Sequence, residues 1–492
     1  MQDTILGLDI GTTATKAVLF DLTGADLLKA EQSYPLSTPQ PGWAEQDPDR
    51  VWQAVVSVIR QVVNQAGPER QIVALALAAQ SGSLIPARAD GAPVYPMITW
   101  LDTRSEVIIK QWQAEGVEAG VRSASGWGLH PGLPLPNIAW LRRFRPDTFA
   151  ETELFLGVLD FLNHRLTGAF CTDLSAGAEM QLIDVSTARW SPHLCDLVGI
   201  TPNHLARLQP AGTIVGKIKA EVSRLTGLAP HTVVVNGGHD QCCTALAMGM
   251  TGPGQVMLAT GTAWVLTGVV ETPATETIPP PMDLNFHVAP QRWTISQLLG
   301  GFGAAVEWYL QQCWPSTLSR TGRYAHFDEA LAHSKPGCHG LFFLPLGGSE
   351  QLPADRPQGG FVGLRLDHTR VDMSRAVLEG AAFELRWTLD KIKQAGLPVE
   401  HLWVAGGATQ SPVWPQILAD VGGVPIWLTQ YAQWPALGAA ILAGVGAGLF
   451  ETLEAGIARF QKSPRQIAPA ESLAHFYGEC FAAYQQLVQR LA

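Results

Sequence analysis

The chain opens on an apolar run, ILGLDIG (5–11), followed by the small, hydroxyl-rich TTAT and a second apolar run, KAVLFD, closed by LTG. Two such runs around a Gly/Thr turn predict a β-hairpin, and a third strand is expected around Leu27 to Ser33. Beyond PGWAEQDPDR the period changes. Trp52, Val55, Val56, Ile59, Val62 and Val63 fall on one face of a helix with Asp47 as N-cap and Pro48 at its first position. QIVALALAAQ then predicts a buried strand that ends at the Ser-Gly-Ser loop 81–83.

The same order recurs beyond Gly252. QVMLATGTAWVLTGVV is again strand, Gly/Thr turn, strand, and RWTISQLLGGFGAAVEWYL is a strand leading through glycines into a helix. The repetition lies in pattern rather than in letters, and it predicts a duplicated unit of three strands followed by helix-strand pairs. HLWVAGGATQSPVWPQILADVGGVPIWL adds strand, glycine loop, a helix starting near Pro412, and strand, the βαβ logic of a doubly wound α/β sheet. A first lobe is expected over 1–246 and a second over 247–460. The remaining 461–492 carries an amphipathic helix with Phe476, Tyr477, Cys480, Phe481, Tyr484, Leu487 and Leu491 near one face, packing back on a lobe. A ligand is expected in the cleft between the lobes.

Composition narrows the class. With 492 residues, 47% hydrophobic and 15% charged, the chain can bury large cores. Its apolar stretches, PALGAAILAGVGAGLF among them, are too short or too rich in glycine and alanine for membrane spans. The N-terminus lacks the basic start of a signal peptide. Seven cysteines without metal-ligand spacing fit reduced thiols, so a cytoplasmic location is expected. A net charge of −10 without a basic block argues against a nucleic-acid partner. It does not exclude a phosphate ligand, because backbone N–H groups bind anions unaided.

Three glycine turns follow strands. Asp9, Gly11, Thr12, Thr13 and Lys16 combine an acid on a strand end with hydroxyl donors and a lysine, a set able to hold a terminal phosphate and, through Asp9, Mg²⁺. Thr260-Gly261-Thr262 repeats the hydroxyl-glycine pattern. Gly406 and Gly407, with Gln410 after them, allow a flat ring against the backbone, and Gly303 lies in GGFGAA, a weak phosphate-loop pattern. In VVVNGGHDQCCTALAMG (233–249) a β-branched run stops at two glycines and presents Asp240 at the start of a small-residue helix. Asp240 is there either a catalytic base or simply the helix N-cap. His239 is expected as a loop residue, and Cys242 and Cys243 as small buried ones. Ser81 and Gly82, then Trp100 and Asp102, offer small polar groups, an indole face and an acid, which suit a polyhydroxylated substrate; the plain alternatives are a core Trp100 and a surface Asp102–Arg104 ion pair.

In order and spacing, GLDIGTTATKAVLFD, PGWAEQDPDRVW, ITWLDTRS, GGHDQ, LATGT, the stretch 359–379 and AGGATQSPVWPQILADVGGVP resemble the FGGY family of carbohydrate kinases, nearest its xylulokinase branch. The resemblance implies an actin-like, ribonuclease-H-like fold in two lobes, with ATP and Mg²⁺ in a central cleft and transfer of the γ-phosphate to a sugar hydroxyl. It implies Asp240 as the base, Asp9 as the acid near metal and phosphates, Gly11 to Thr13 and Thr260 to Thr262 as phosphate loops, and Gly406 and Gly407 against adenosine. Gln241 and Ser81-Gly82 would face the sugar. D-Xylulose is the first-choice substrate by resemblance, and ribulose, gluconate or a glycerol-like polyol the alternatives; dimers are common in that family.

The departures concern specificity. Xylulokinases carry Met-His where this chain has Ser81-Gly82, so the imidazole expected against the sugar is missing. Gln241 follows the base as in glycerol kinases, Asn137 and Phe144 depart from the N-terminal signature, and Gly348 to Pro353 replaces a Gly-Glu-Arg-Thr-Pro segment. From a different class, a nucleotide-binding sensor without catalysis is the competing reading, and the presence of both Asp9 and Asp240 argues against it.

Overall fold

A computed structural model describes residues 2–345, 359–429, 431–460 and 463–491. The segment 348–353 therefore lies outside the described residues. The predicted hairpin is β1 (Gln2–Ile10) and β2 (Ala14–Asp21), antiparallel, with Asp9 opposite Lys16. Strand β3 (Asp26–Ser33) pairs with β2, and β4 (Arg70–Ala79) runs parallel to β1. Two later strands, β5 (Ile214–Lys217) and β6 (Val233–His239), complete a sheet of order β5-β6-β4-β1-β2-β3.

The second sheet repeats this plan. It contains β7 (Gln255–Thr260), β8 (Trp264–Val270), β9 (Asp283–Phe286), β10 (Trp293–Gly300), β11 (His401–Gly406), β12 (Ile426–Leu428) and β13 (Arg465–Ile467), in the order β9-β10-β8-β7-β11-β12-β13. In both sheets three antiparallel strands are followed by two parallel additions and an antiparallel edge. The duplication expected from pattern is present, with β9 as an extra edge strand.

Helix α1 (Pro48–Ala66) starts as predicted, the Asp47 carboxylate accepting from the Asp49 N–H at 2.9 Å. Of the other helices, α2 (Leu174–Ala178), α3 (Asp240–Ala247) and α4 (Phe302–Cys313) bear on the cleft, α5 (Arg370–Gln394), α6 (Trp414–Gly422) and α8 (Glu471–Leu491) support the second lobe, and α7 (Trp434–Gly446) lies against the first sheet. A short 3₁₀ turn, Gly407–Gln410, precedes α6, which begins just beyond the expected Pro412. Helix α8 buries Tyr477, Phe481, Tyr484 and Val488 against α5 and α6, while Phe476 stays exposed, so its buried seam is rotated slightly from the expected face. Tyr477 donates to Glu379 at 2.7 Å, and Arg375 donates to the Tyr477 hydroxyl at 2.8 Å.

The lobes join through a core of small residues. Helices α3 and α7 pack on each other, and α7 also lies against β1, β4 and β6. Backbones approach so closely that a Cβ on Gly438 would sit 2.0 Å from the Cys243 carbonyl oxygen, and one on Gly7 1.8 Å from that of Ala436. The apolar stretch 435–450 is therefore an interlobe helix, buried from Ala436 to Gly444, and its more exposed exit. Among the described residues no helix is long and apolar enough to cross a membrane. All seven cysteines are free; Cys242 and Cys243 are buried in α3, and burial pushes both thiols up from their ordinary range.

Candidate active site

Strands β1, β4 and β6 run parallel, so their C-terminal ends meet at one edge of the first sheet. The Gln80 N–H donates to the Ile10 carbonyl at 2.8 Å, and His239 stands beside Ala79 in the ladder. A cavity of about 910 Å³ opens there between the lobes. Five of the sequence-predicted residues line it, namely Thr12, Ser81, Trp100, Asp240 and Gln241. Ala263, from the β7–β8 turn, lines it from the second lobe, so both Gly/Thr turns border one space.

The first turn is rigidly held. The Trp100 indole N–H donates to Thr12 Oγ1 at 3.0 Å, Gln46 donates to the Thr12 carbonyl at 2.5 Å, and Tyr34 donates from its hydroxyl to the Gly11 carbonyl and from its N–H to that of Thr13. Trp100 is thus a wall of the cleft rather than a core residue. Ser81 Oγ and Gln241 Oε1 are buried beside the cavity with no hydrogen-bond partner, as is the Trp127 indole N–H. A ligand carrying hydroxyls would supply what these groups lack.

Two expectations fail. Asp102 does not reach the cavity: fully buried, it accepts from Arg104 at 2.9 and 2.7 Å and from the Ala44 N–H at 2.6 Å, a buried ion pair rather than a surface one or a substrate contact. Gly82 does not line the cavity either. Its φ is +72°, and a Cβ there would meet Leu133 Cδ2 at 2.7 Å and Glu179 Oε2 at 3.3 Å. A larger residue at 82 would first have to displace the Leu133 methyl, with the Glu179 carboxylate and Trp100 Cβ next.

Asp240 is not the helix N-cap. It is the first residue of α3, preceded by His239 as N-cap residue without a side-chain cap bond. Its carboxylate is held instead by His239, whose Nε2 lies 3.1 Å from Asp240 Oδ1 while Nδ1 lies 2.9 Å from Glu179 Oε1. Burial works against protonation of this imidazole, but the Glu179 charge and the hydrogen bonds to Asp240, Cys242 and Glu179 prevail and hold its pKa well above the ordinary value. Asp9, on β1, is pushed up to about 7 by burial and next by the Asp240 charge, against which Lys16 at 3.9 Å pulls down.

On the second lobe, three predicted segments converge. Thr260 Oγ1 donates to the Ala405 carbonyl at 2.7 Å and accepts from the Ala408 N–H at 3.1 Å, tying the turn 260–262 to Gly406 and Gly407. The Ala304 N–H donates to the Thr262 carbonyl at 3.1 Å, and a Cβ on Gly303 would lie 2.0 Å from the Gly261 carbonyl oxygen. Gly261, Thr262, Gly406, Gly407 and Gln410 are exposed.

Sequence reasoning missed Glu179, passed over His239, and did not see Arg122 and Asp283, which face each other at 3.6 Å across the cleft. His239 had a signal, its place between a strand end and an acid; Glu179 had none, because it reaches the site only through the fold.

Both halves match known domains: the N-terminal domain of the FGGY family of carbohydrate kinases over residues 4–247 and its C-terminal domain over 252–447. The chain belongs to this family. It is a carbohydrate kinase, a phosphotransferase that uses ATP, with the actin-like fold of FGGY kinases. Among relatives, it is 26% identical to a gluconokinase of Bacillus licheniformis over 100% of this chain and 96% of that protein. It is 28% identical to the xylulose kinase of Escherichia coli (99% and 100%). Among solved structures, the xylulose kinase from Rhodospirillum rubrum superposes with a TM-score of 0.93 at 28% identity, covering 99% of each chain. The gluconate kinase from Lactobacillus acidophilus gives 0.92 at 25%, over 100% and 98%. The FGGY match thus extends over both lobes and leaves the sugar open.

Proposed function

We propose that this kinase phosphorylates a neutral pentulose, with D-xylulose as the first choice, and that Asp240 is the base. The observation that supports a neutral substrate is the charge balance of the cleft. Among the described residues, its cations already face carboxylates: Arg122 meets Asp283 at 3.6 Å, and His239 lies between Glu179 and Asp240. Burial pushes the remaining cavity imidazole, His130, down toward its neutral form. An aldonate carboxylate would enter without a free partner, and the gluconokinase relatives are the reason to test it.

In this reading the sugar hydroxyl gives its proton to Asp240 as its oxygen bonds to the γ-phosphorus and the bond to the ADP oxygen breaks. The turns 11–13 and 260–262 offer N–H and hydroxyl donors to the phosphates, and Gly406 and Gly407 lie against adenosine. Asp9 fits a Mg²⁺ ion: it is a largely buried carboxylate crowded by the Asp240 charge and only partly offset by Lys16. Such an ion would be held by Asp9 together with waters and phosphate oxygens. When bound, Mg²⁺ neutralises phosphate charge.

A coupled ADP-release assay over D-xylulose, L-xylulose, D-ribulose, glycerol and D-gluconate tests the substrate. An unpaired carboxylate should cost about 3 kcal/mol, roughly 100-fold in kcat/KM for gluconate. Turnover of gluconate at the pentulose rate would overturn the reading.

A further inference from the structure

We infer that His239 is a positioning residue, clamped between Glu179 and Asp240 so that it orients the Asp240 carboxylate toward the acceptor hydroxyl. The inference rests on Asp240 as base. Its ground is geometric. Both ring nitrogens face carboxylate oxygens, at 2.9 Å for Glu179 and 3.1 Å for Asp240, so a doubly protonated ring donates to both. One oxygen of Asp240 is thereby engaged, and the other is left for substrate.

The clamp is anchored from one short segment. Asp173 caps α2, accepting from the Ser175 N–H and hydroxyl at 2.8 and 2.6 Å; Ser175 Oγ in turn accepts from the His239 N–H at 2.9 Å. Glu179 follows the last residue of the same helix. Backbone and ring of His239 are thus fixed by the two ends of α2. Ser175 also accepts, through its carbonyl, from Asn285 of the second lobe at 3.1 Å, so both lobes bear on the clamp.

A side chain at 82 would meet Leu133 Cδ2 first, at 2.7 Å, and Glu179 and Trp100 next, both at 3.3 Å, while the cavity receives an imidazole from position 239. The ionisable groups around the ring are Glu179, Asp240, Asp173, Cys242 at 3.9 Å and Cys243, with Asp9 acting through Asp240.

The test compares His239→Ala, His239→Gln, Glu179→Gln and Asp240→Asn by steady-state kinetics, using whichever sugar of the panel is turned over fastest. His239→Ala should lower kcat by roughly 10- to 100-fold with KM for ATP unchanged. His239→Gln keeps a donor toward Asp240 and should recover part of the loss. Glu179→Gln, which leaves the ring but removes its charge partner, should shift the basic limb of the kcat profile to lower pH. In ¹⁵N-histidine NMR of the whole protein, the resonance lost in His239→Gln should show both ring nitrogens protonated at pH 8. Wild-type kcat in His239→Ala, or a singly protonated ring, would overturn the inference. An active Asp240→Asn would instead remove the base assignment, a separate failure.

Discussion

Substitution of Gly438 by alanine tests how the lobes are joined. The added Cβ would stand 2.0 Å from the Cys243 carbonyl oxygen, so α3 and α7 must separate by about 1.4 Å to reach ordinary contact at 3.4 Å. The obstacle is backbone on a buried helix, and no rotamer change relieves it. Overpacking of this kind costs about 1–3 kcal/mol. Cys243 lies one turn beyond Asp240 on α3, so the same displacement moves the proposed base, and a misplacement of about 1 Å can lower a rate roughly 100-fold. Thermal unfolding and kcat, measured on one preparation, should both fall. Gly478→Ala in α8 is the control: nothing lies within 4 Å of its added Cβ, so the change should stabilise by about 0.5–1 kcal/mol through helix propensity. Equal unfolding temperatures and rates for Gly438→Ala and the parent would refute the close interlobe seam.

Asp240→Asn should preserve ATP binding, measured by calorimetry, and lower kcat by a factor on the order of 10²–10⁴. Asp9→Asn should raise the Mg²⁺ concentration needed for half-maximal turnover, and an unchanged metal dependence would count against Asp9 as the metal-side acid. Asp160, 1% exposed at the start of the helix Val158–Thr167, is pushed up from 3.8 to about 7, chiefly by burial. Between those values the unfolded chain releases a proton that the folded chain keeps, so stability falls as pH rises across that window and levels off above it. Asp9 and Asp283, also raised to about 7, contribute to the same slope, so Asp160→Asn should make it shallower and gain up to about 4 kcal/mol over the parent at pH 8, at about 1.4 kcal/mol per unit; parallel stability curves from pH 4 to 8 would refute it.

The fold was legible because its repeating unit writes itself in local pattern. The hairpin 2–21, the Asp47 cap of α1 and the second hairpin at 255–270 follow from turn and cap chemistry and alternation, which neighbours in space do not alter. Helix α8 was less so. Its face was chosen by average amphipathicity, whereas the actual seam also carries three buried polar partners, Arg375 and Glu379 for Tyr477 and Glu384 for Tyr484. Periodicity does not register a tyrosine hydroxyl meeting a buried charge.

The site divides along the same line. Thr12, Ser81, Asp240 and Gln241 sit at the ends of predicted strands, and topology alone carries them to the cleft. Asp102 was misjudged because an acid beside an indole looks alike in sequence whether it faces ligand or Arg104, and only the fully buried Asp102–Arg104 pair decides between them. Glu179 lies more than fifty residues from Asp240 with no strand or glycine turn to announce it, yet it holds the ring that holds the proposed base. The missing imidazole at position 82 and the histidine at 239 border the same carboxylate. Leu133 is the nearest obstacle to a side chain at 82, Glu179 stands beside it at 3.3 Å, and His239 meets that carboxylate while turning its other nitrogen to Asp240.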